Sequence, residues 1–324
     1  MIFSIRKVDS HDLNGAGMIA TKRNHLSILK QSGIYHRLRA SFVYDLYLTL
    51  RNGKLLKARD REAAFYRAVL NGFKPGDLIF DIGANIGDKT VTFLRLGARV
   101  VAVDPDEHNQ NVLRQKFLRS RIRPRPVMIV GKAVGARVGV ETMLVCAPGS
   151  VFNTLSEKGA GIISDSTNRP GQLSDVIEYK EKKTVETTTL DHLIEAYGLP
   201  FFIKIDVVGF ELEVLQGLHR SVPFLSFEIG LPESRRELLQ CVDLLGGLSS
   251  SGQFNYIWDR RNGLALDNWL NLQAFFPITR RLWRRAHWSL LAKVISSWTL
   301  IPTWVGAFGR VGSWAIPRVI FAMR

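Results

Sequence analysis

Cysteine is scarce: two residues in 324, Cys146 and Cys241. Neither belongs to a CxxC pair or to a Cys/His cluster with zinc spacing, which excludes a disulfide framework and makes a reducing compartment the default. The opening MIFSIRKVDSHD lacks the apolar core and small-residue cleavage site of a signal peptide. Spanning a bilayer takes about 20 apolar residues. The uncharged run from Val294 to Gly309 has 16 and contains Pro302, too short for a confident span. No helix-turn-helix signature, Cys/His finger or aromatic RNP strand is present, so nucleic acid is not expected as a partner despite a formal charge of +15. Hydrophobic residues make up 46%, which rules out a disordered chain.

The excess charge sits at the two ends. Residues 1–72 carry 13 basic against 5 acidic groups, residues 73–250 carry 21 against 22, and residues 251–324 carry 10 against 2. We therefore expect three regions: a helical lead-in (1–72), a main domain (73–250) and a basic aromatic extension (251–324). In the first, Leu26, Leu29, Ile34, Leu38, Phe42 and Leu46 recur at three- and four-residue steps among Lys and Arg, predicting helix from 24 to about 72. From Asp77 the period changes. DLIFDIG, RVVAVDP, VMIVGKAVG, FFIKIDVV and FLSFEIG are short runs rich in β-branched and aromatic residues, separated by helix-like segments such as HNQNVLRQKFLR and GFELEVLQGL. Apolar strands alternating with helices predict an α/β doubly wound, mostly parallel sheet covered on both faces. Residues 141–187, rich in Gly, Ser, Asn and Pro, interrupt the alternation and predict loops and edge strands over one end of the sheet. Thr189 or Asp191 opens the helix that follows, and Gly198 closes it.

All seven tryptophans (Trp258, Trp269, Trp283, Trp288, Trp298, Trp304, Trp314) fall after residue 251, among Arg280, Arg281, Arg284, Arg285 and Lys293. Two readings stand for this tail. One is a segment in a bilayer interface, with peripheral membrane contact through 280–324; the other is a helical extension packed on the domain or on a second copy.

The chemistry centres on FDIGANIGDKT, Phe80 to Thr90, between a predicted strand and a predicted helix. Gly83 and Gly87 permit a sharp turn and close approach of a ligand, and the helix N-terminus offers unpaired amides. The spacing is not GxGxxG, which argues against a nicotinamide dinucleotide. Asp81 ends the strand and Asn85 stands in the turn. Asp104 follows Gly87 by 17 residues and ends RVVAVDP, at the place where an acid grips ribose hydroxyls in nucleotide-binding α/β folds. Turn and acid together predict a nucleoside-shaped site.

In this ordered set of motifs, DLIFDIGANIGDKT, RVVAVDPD, GKAVG, TTTLDHLI, FIKIDVVGFELEVLQGL and the closing SFE, the chain resembles an FkbM family methyltransferase from about Gly72 to Gly230. The resemblance implies a class I Rossmann-like methyltransferase sheet of seven strands with the last antiparallel. It implies S-adenosyl-L-methionine as cofactor, lined by Asp81, Gly83, Asn85 and Gly87, with Asp104 on the ribose. One departure stands out: the family pattern reads KIDVEG, whereas this chain has KIDVVG, with Val208 in place of Glu.

Asp206 ends a strand at the carboxyl edge, where open α/β sheets bind ligands, and is expected to serve as base or acceptor-orienting carboxylate. Lys204 lies on the same strand face; it either reaches substrate or forms a partly buried ion pair with Asp206. Glu228 ends the next strand, as substrate contact or as a buried hydrogen-bonded carboxylate. Glu211 reads as a favourable charge in a first helical turn. His108 and His192 read as surface groups, and Lys89 and Thr90 as helix N-terminal residues. No metal site is expected. The function expected is O-methylation of a hydroxyl on a sugar, glycolipid or secondary metabolite, by a cytoplasmic enzyme or one peripheral at the inner membrane face. The alternative is a catalytically silent relative that acts as a membrane-surface binding module.

Overall fold

A computed structural model describes residues 53–117, 127–167, 177–228, 235–257, 263–286 and 318–322. The elements alternate as the apolar runs predict. Helix α1 (Gly53–Val69) leads into β1 (Leu78–Ile82), α2 (Asp88–Leu96), β2 (Arg99–Val103), α3 (Glu107–Lys116) and β3 (Val127–Val130). Four elements interrupt this pattern: β4 (Ala133–Val134), β5 (Gly139–Val145), α4 (Glu157–Thr167) and β6 (Glu181–Thr188). Then come α5 (Leu190–Tyr197), β7 (Phe202–Ile205), α6 (Glu211–Gln216), β8 (Phe224–Glu228) and α7 (Arg235–Leu248). The last described elements are β9 (Gln253–Ile257), α8 (Leu272–Ala286) and β10 (Arg318–Ala322).

Seven strands form one sheet in the order β3-β2-β1-β7-β8-β10-β9. Neighbours from β3 to β8 run parallel, and β10 is antiparallel to both β8 and β9. The result is the class I methyltransferase arrangement. Strand order reverses at β1, so a crevice opens at the carboxyl ends of β1 and β7, the position where such sheets take ligands.

Alternation along each strand decides which face a side chain covers. Phe80, Ile82, Ile203, Ile205 and Leu225 point into one apolar layer, which α5, α6 and α7 cover through Leu193, Leu215 and Leu245. Ile79, Val100 and Phe202 point into the other, with Phe93 of α2 and Phe65, Tyr66 and Val69 of α1. Tyr66 and Phe202 meet the ring of Phe93 edge-on, at 5.1 and 5.8 Å between centroids. Helix α1, the end of the expected lead-in, packs into the folded core through Phe65, Tyr66 and Val69.

The sheet also runs past the boundary expected at residue 250. Strands β9 and β10 both lie beyond it, in the region read as an extension. Within Arg318–Ala322 only Val319 to Ala322 are apolar, a run too short to show against its basic and aromatic surroundings. Trp269 packs on Phe224, with ring centroids 6.4 Å apart, so this tryptophan serves the core. Trp258, Trp288, Trp298, Trp304, Trp314, Lys293, the run from Val294 to Gly309 and residues 1–52 lie outside the described residues, as do the side chains of Trp283 and of the four arginines from 280 to 285. Among the described residues no helix is long and apolar enough to cross a membrane.

The 141–187 stretch, expected as loops and edge strands, holds strands of a separate three-stranded sheet and a helix. β5 pairs antiparallel with β6, β6 pairs parallel with β4, and α4 sits between β5 and β6 in the chain. Thr189 proves to be the cap of α5, its side chain accepting from the amide of His192, and Gly198 ends the helix as expected. Because Phe93 joins α1, α2 and the sheet, Phe93→Ala should cost about 3–5 kcal/mol. Urea denaturation would read this directly, and an unchanged midpoint would refute the packing of α1 against α2.

Candidate active site

The turn from β1 to α2 is built around two glycines in left-handed backbone. Gly83 (φ 69°) lies so close to β7 that a Cβ there would stand 2.1 Å from the carbonyl oxygen of Asp206. A Cβ on Gly87 (φ 77°) would stand 2.7 Å from Leu113 and Phe117 of the α3 segment. Asn85 also adopts positive φ (49°), a conformation that asparagine tolerates better than most residues. Lys116 reaches back from α3 and donates to the carbonyl of Ile86 at 2.8 Å and to Asp88 at 3.1 Å, which pins the turn from below.

Beneath this turn lies a buried ion pair. Asp81 and Lys204 are register partners on β1 and β7, and Lys204 Nζ stands 2.9 Å from Asp81 Oδ1. Lys204 is 2% exposed and Asp81 fully buried. The other Asp81 oxygen accepts from Thr90 Oγ1 at 2.6 Å. The ammonium also donates to the carbonyls of Ile82 (3.2 Å) and Gly83 (3.0 Å) and stands 3.5 Å from Asp206 Oδ2. Asp81, expected to line the cofactor, is buried between Lys204 and Thr90 at the base of the turn. Of the two readings for Lys204, the geometry matches the buried ion pair, with Asp81 as its nearer partner. Lys89 pairs with Glu62 of α1.

Asp104 comes to the same turn from β2. Its Oδ2 accepts from the Asn85 amide at 2.8 Å; its Oδ1 accepts from the Asp106 amide at 3.0 Å and from Asn109 Nδ2 at 3.1 Å. The turn at residue 85 and the acid at residue 104 are therefore in direct contact. Burial pushes the Asp104 carboxyl up to about 6, against the lowering effect of these three donors. Asp106 caps α3 and ties down a strap formed by residues 147–156: Oδ1 accepts from the His108 amide (2.8 Å), and Oδ2 accepts from the Gly149 amide (3.0 Å) and Asn153 Nδ2 (2.7 Å). The strap continues to β7, where Thr154 Oγ1 donates to the carbonyl of Val208 at 2.5 Å. Its far side is held by Tyr179, which donates to the carbonyl of Phe152 at 3.0 Å.

A group of carboxylates lies at the ends of β7 and β8. Asp206 is 33% exposed. Burial, helped by the nearby charges of Asp206 and Glu228, holds the carboxyl of Glu211, at the start of α6, well above the usual range. The helix-turn reading of Glu211 missed this. The signal was its five-residue distance from Asp206 across Gly209 (φ 70°), where the chain turns back on itself. Asp106, Asn109 and Lys116 were also missed, because their roles rest on contacts with distant turns. His108 packs on the strap at Gly149 and His192 stands at the cap of α5, both away from these carboxylates. Among the described residues no group of three or more His, Cys, Asp or Glu can hold a metal ion.

The ion pair generates a stability prediction. Lys204→Met leaves Asp81 buried without its cation and should cost about 3–5 kcal/mol. The double variant Lys204→Met/Asp81→Leu should recover most of the loss. Thermal and urea unfolding of the two would test this; equal losses would show that the pair is not energetically coupled.

No curated protein matches the chain. Solved structures with similar strand arrangement include the precorrin-6y C5,15-methyltransferase of Geobacter metallireducens (11% identity, 63% of this chain and 75% of that one, TM-score 0.32). The C-terminal domain of precorrin-6Y C5,15-methyltransferase from Rhodobacter capsulatus gives 13% identity over 81% and 88% of the two chains, TM-score 0.36. The plantazolicin methyltransferase BpumL, solved in complex with SAH, gives 9% identity over 95% and 100%, TM-score 0.34. At these identities and scores the likenesses carry no functional argument. The model of the methyltransferase FkbM domain matches residues 81–246, which is half of the chain and includes Asp81, the glycine turn, Asp104, Asp206, Glu211 and Glu228. The chain belongs to the FkbM methyltransferase family.

Proposed function

We propose that this methyltransferase uses S-adenosyl-L-methionine to O-methylate a hydroxyl of a sugar, glycolipid or secondary metabolite. The observation that carries the donor site is the 2.8 Å contact between the Asn85 amide and the Asp104 carboxylate, in the crevice where strand order reverses. A carboxylate has about four acceptor positions. Three at Asp104 are taken by N–H groups, which leaves room for a ribose hydroxyl. Gly83 and Gly87 let the turn pack directly on the Asp206 carbonyl and on Leu113 and Phe117, which fixes the backbone that carries the Asn85 amide to Asp104. These features fit the donor.

Bound S-adenosylmethionine supplies a methyl group on a sulfonium, open to in-line displacement. The protein's part is to align an acceptor oxygen and receive its proton. Alignment can supply about 7–11 kcal/mol of barrier lowering, and a positioned base typically about 10²- to 10⁴-fold. Asp206 is the candidate for that base: it is part-exposed at the edge of the crevice and flanked by the Lys204 ammonium, 3.5 Å away, which steadies its charge. Glu228 and Glu211 close the acceptor side. Glu211, held towards its neutral form, can donate a hydrogen bond to an acceptor oxygen where Asp206 accepts one. Lys204 serves as a positioning residue, since its ammonium is engaged by the ends of β1 and β7. At Val208 the side chain is apolar and the backbone carbonyl takes the Thr154 hydroxyl, so an acceptor there meets an isopropyl group rather than a carboxylate.

Two measurements test the reading. Isothermal titration should show S-adenosylhomocysteine binding to the folded protein, and Asp104→Asn should weaken it by about tenfold or more. Absence of binding to the wild type would refute the donor assignment. Asp206→Asn should leave that affinity within about twofold yet reduce methyl transfer by about 10²- to 10⁴-fold. The readout is gain of one methylene in lipid and polysaccharide fractions analysed by mass spectrometry. Undiminished transfer by the variant would remove Asp206 from the mechanism, and the same fractions unchanged by the wild type would favour a silent binding module.

A further inference from the structure

Asn109 is a polar side chain in the first turn of α3, yet it is only 2% exposed. Its Nδ2 donates to Asp104 Oδ1 at 3.1 Å, while its Oδ1 is buried without a hydrogen-bond partner. The opposite amide orientation would set an oxygen against the carboxylate, acceptor facing acceptor, so the pairing with Asp104 determines which way the group points. The strap closes over it: a Cβ on Gly149 would stand 3.1 Å from Asn109 Oδ1 and 2.5 Å from the His108 ring. The amide therefore has no room to swing away.

Other groups act on Asp104 as well. The Asn85 amide faces it from the β1–α2 turn, and the Asp106 amide from its own turn. The Asp106 carboxylate opposes its charge but is neutralised in part by N–H groups of His108, Gly149 and Asn153. From β3 the carbonyl of Val130 takes the Asp104 amide. Lys116 is directed to Ile86 and Asp88. Asn109 is the one side chain that donates to the carboxylate among the described contacts.

We infer that Asn109 is a positioning residue for the methyl donor: its amide, clamped under the strap, fixes the rotamer of Asp104 and turns that carboxylate to a ribose hydroxyl. The inference rests on the proposed donor site, and goes beyond it by assigning the orientation and charge of Asp104 to a group outside that contact. Burial alone drives Asp104 towards its neutral form, and donation from Asn109 is the largest influence in the other direction. Donor binding should consequently titrate with a midpoint near 6, affinity rising with pH as Asp104 ionises.

The test measures the dissociation constant of S-adenosylhomocysteine from pH 5 to 8.5 for four full-length proteins: wild type, Asn109→Leu, Asn109→Asp and Asp104→Asn. Wild-type affinity should fall about tenfold per pH unit below the midpoint. Asn109→Leu should move the midpoint up by about one pH unit. Asn109→Asp keeps the amide's shape but places a second carboxylate on Asp104, and should move it further. Asp104→Asn should bind weakly at pH 8 with no midpoint in this range. Should Asn109→Leu fail to fold by circular dichroism, the isosteric Asn109→Asp carries the same comparison. A uniform loss of affinity at every pH with the midpoint unmoved would assign Asn109 a structural role and overturn the inference. Wild-type behaviour from Asp104→Asn would instead overturn the donor site itself.

Discussion

The candidate site depends on one buried ion pair. Asp81 and Lys204 face each other across neighbouring parallel strands at the point where strand order reverses. Desolvating two charges is costly, and such pairs persist only where further hydrogen bonds complete them. Here Thr90 donates to one Asp81 oxygen while the other rests on the charge contact with Lys204 alone, and the carbonyls of Ile82 and Gly83 complete the ammonium. Those carbonyls belong to the very end of β1, so satisfying Lys204 also dictates how the chain leaves the strand. That exit requires left-handed backbone at residue 83, which in turn brings the Asn85 amide to Asp104 and the Asp206 carbonyl against Gly83. One electrostatic requirement thus sets the geometry of both the turn at Asp104 and the turn at Asp206.

Much of this could be read from the amino-acid order. Five apolar runs became strands because both faces of a parallel sheet are covered, and near-continuous hydrophobicity is what that burial demands. The glycine turn and the acid 17 residues later were legible because a local backbone conformation and one strand crossover fix their separation. The role of Asp81 was not. An aspartate ending a strand looks the same whether it faces ligand or lysine, and its partner is 123 positions away. Asp106 and Asn109 were hidden for the same reason, since each needs a turn or strap that the sequence does not bring adjacent. Strand β10 was lost in a basic aromatic background, and the core role of α1 was blurred by its long basic approach.

The strap of residues 147–156 adds a mechanical link. It is fastened to the α3 cap through Asp106 and to the end of β7 through Thr154 and Val208. Donor-side and acceptor-side turns are therefore braced by one short segment, itself backed by Tyr179 and by the pairing of Leu144 with Thr154. The segment beside Asp206 is thus held at its other end by the cap next to Asp104. At position 208 the brace uses a main-chain oxygen, so it does not depend on which side chain stands there.

The position of Arg318–Ala322 has a consequence for how the molecule is made. This strand is wedged between β8 and β9, which do not hydrogen-bond to each other. During synthesis both of those strands emerge well before the segment that separates them. Until it arrives, two rows of main-chain donors and acceptors stand open, a template for joining foreign strands. Nascent chains halted before this segment should be the aggregation-prone species, and holdase chaperones their natural guardians.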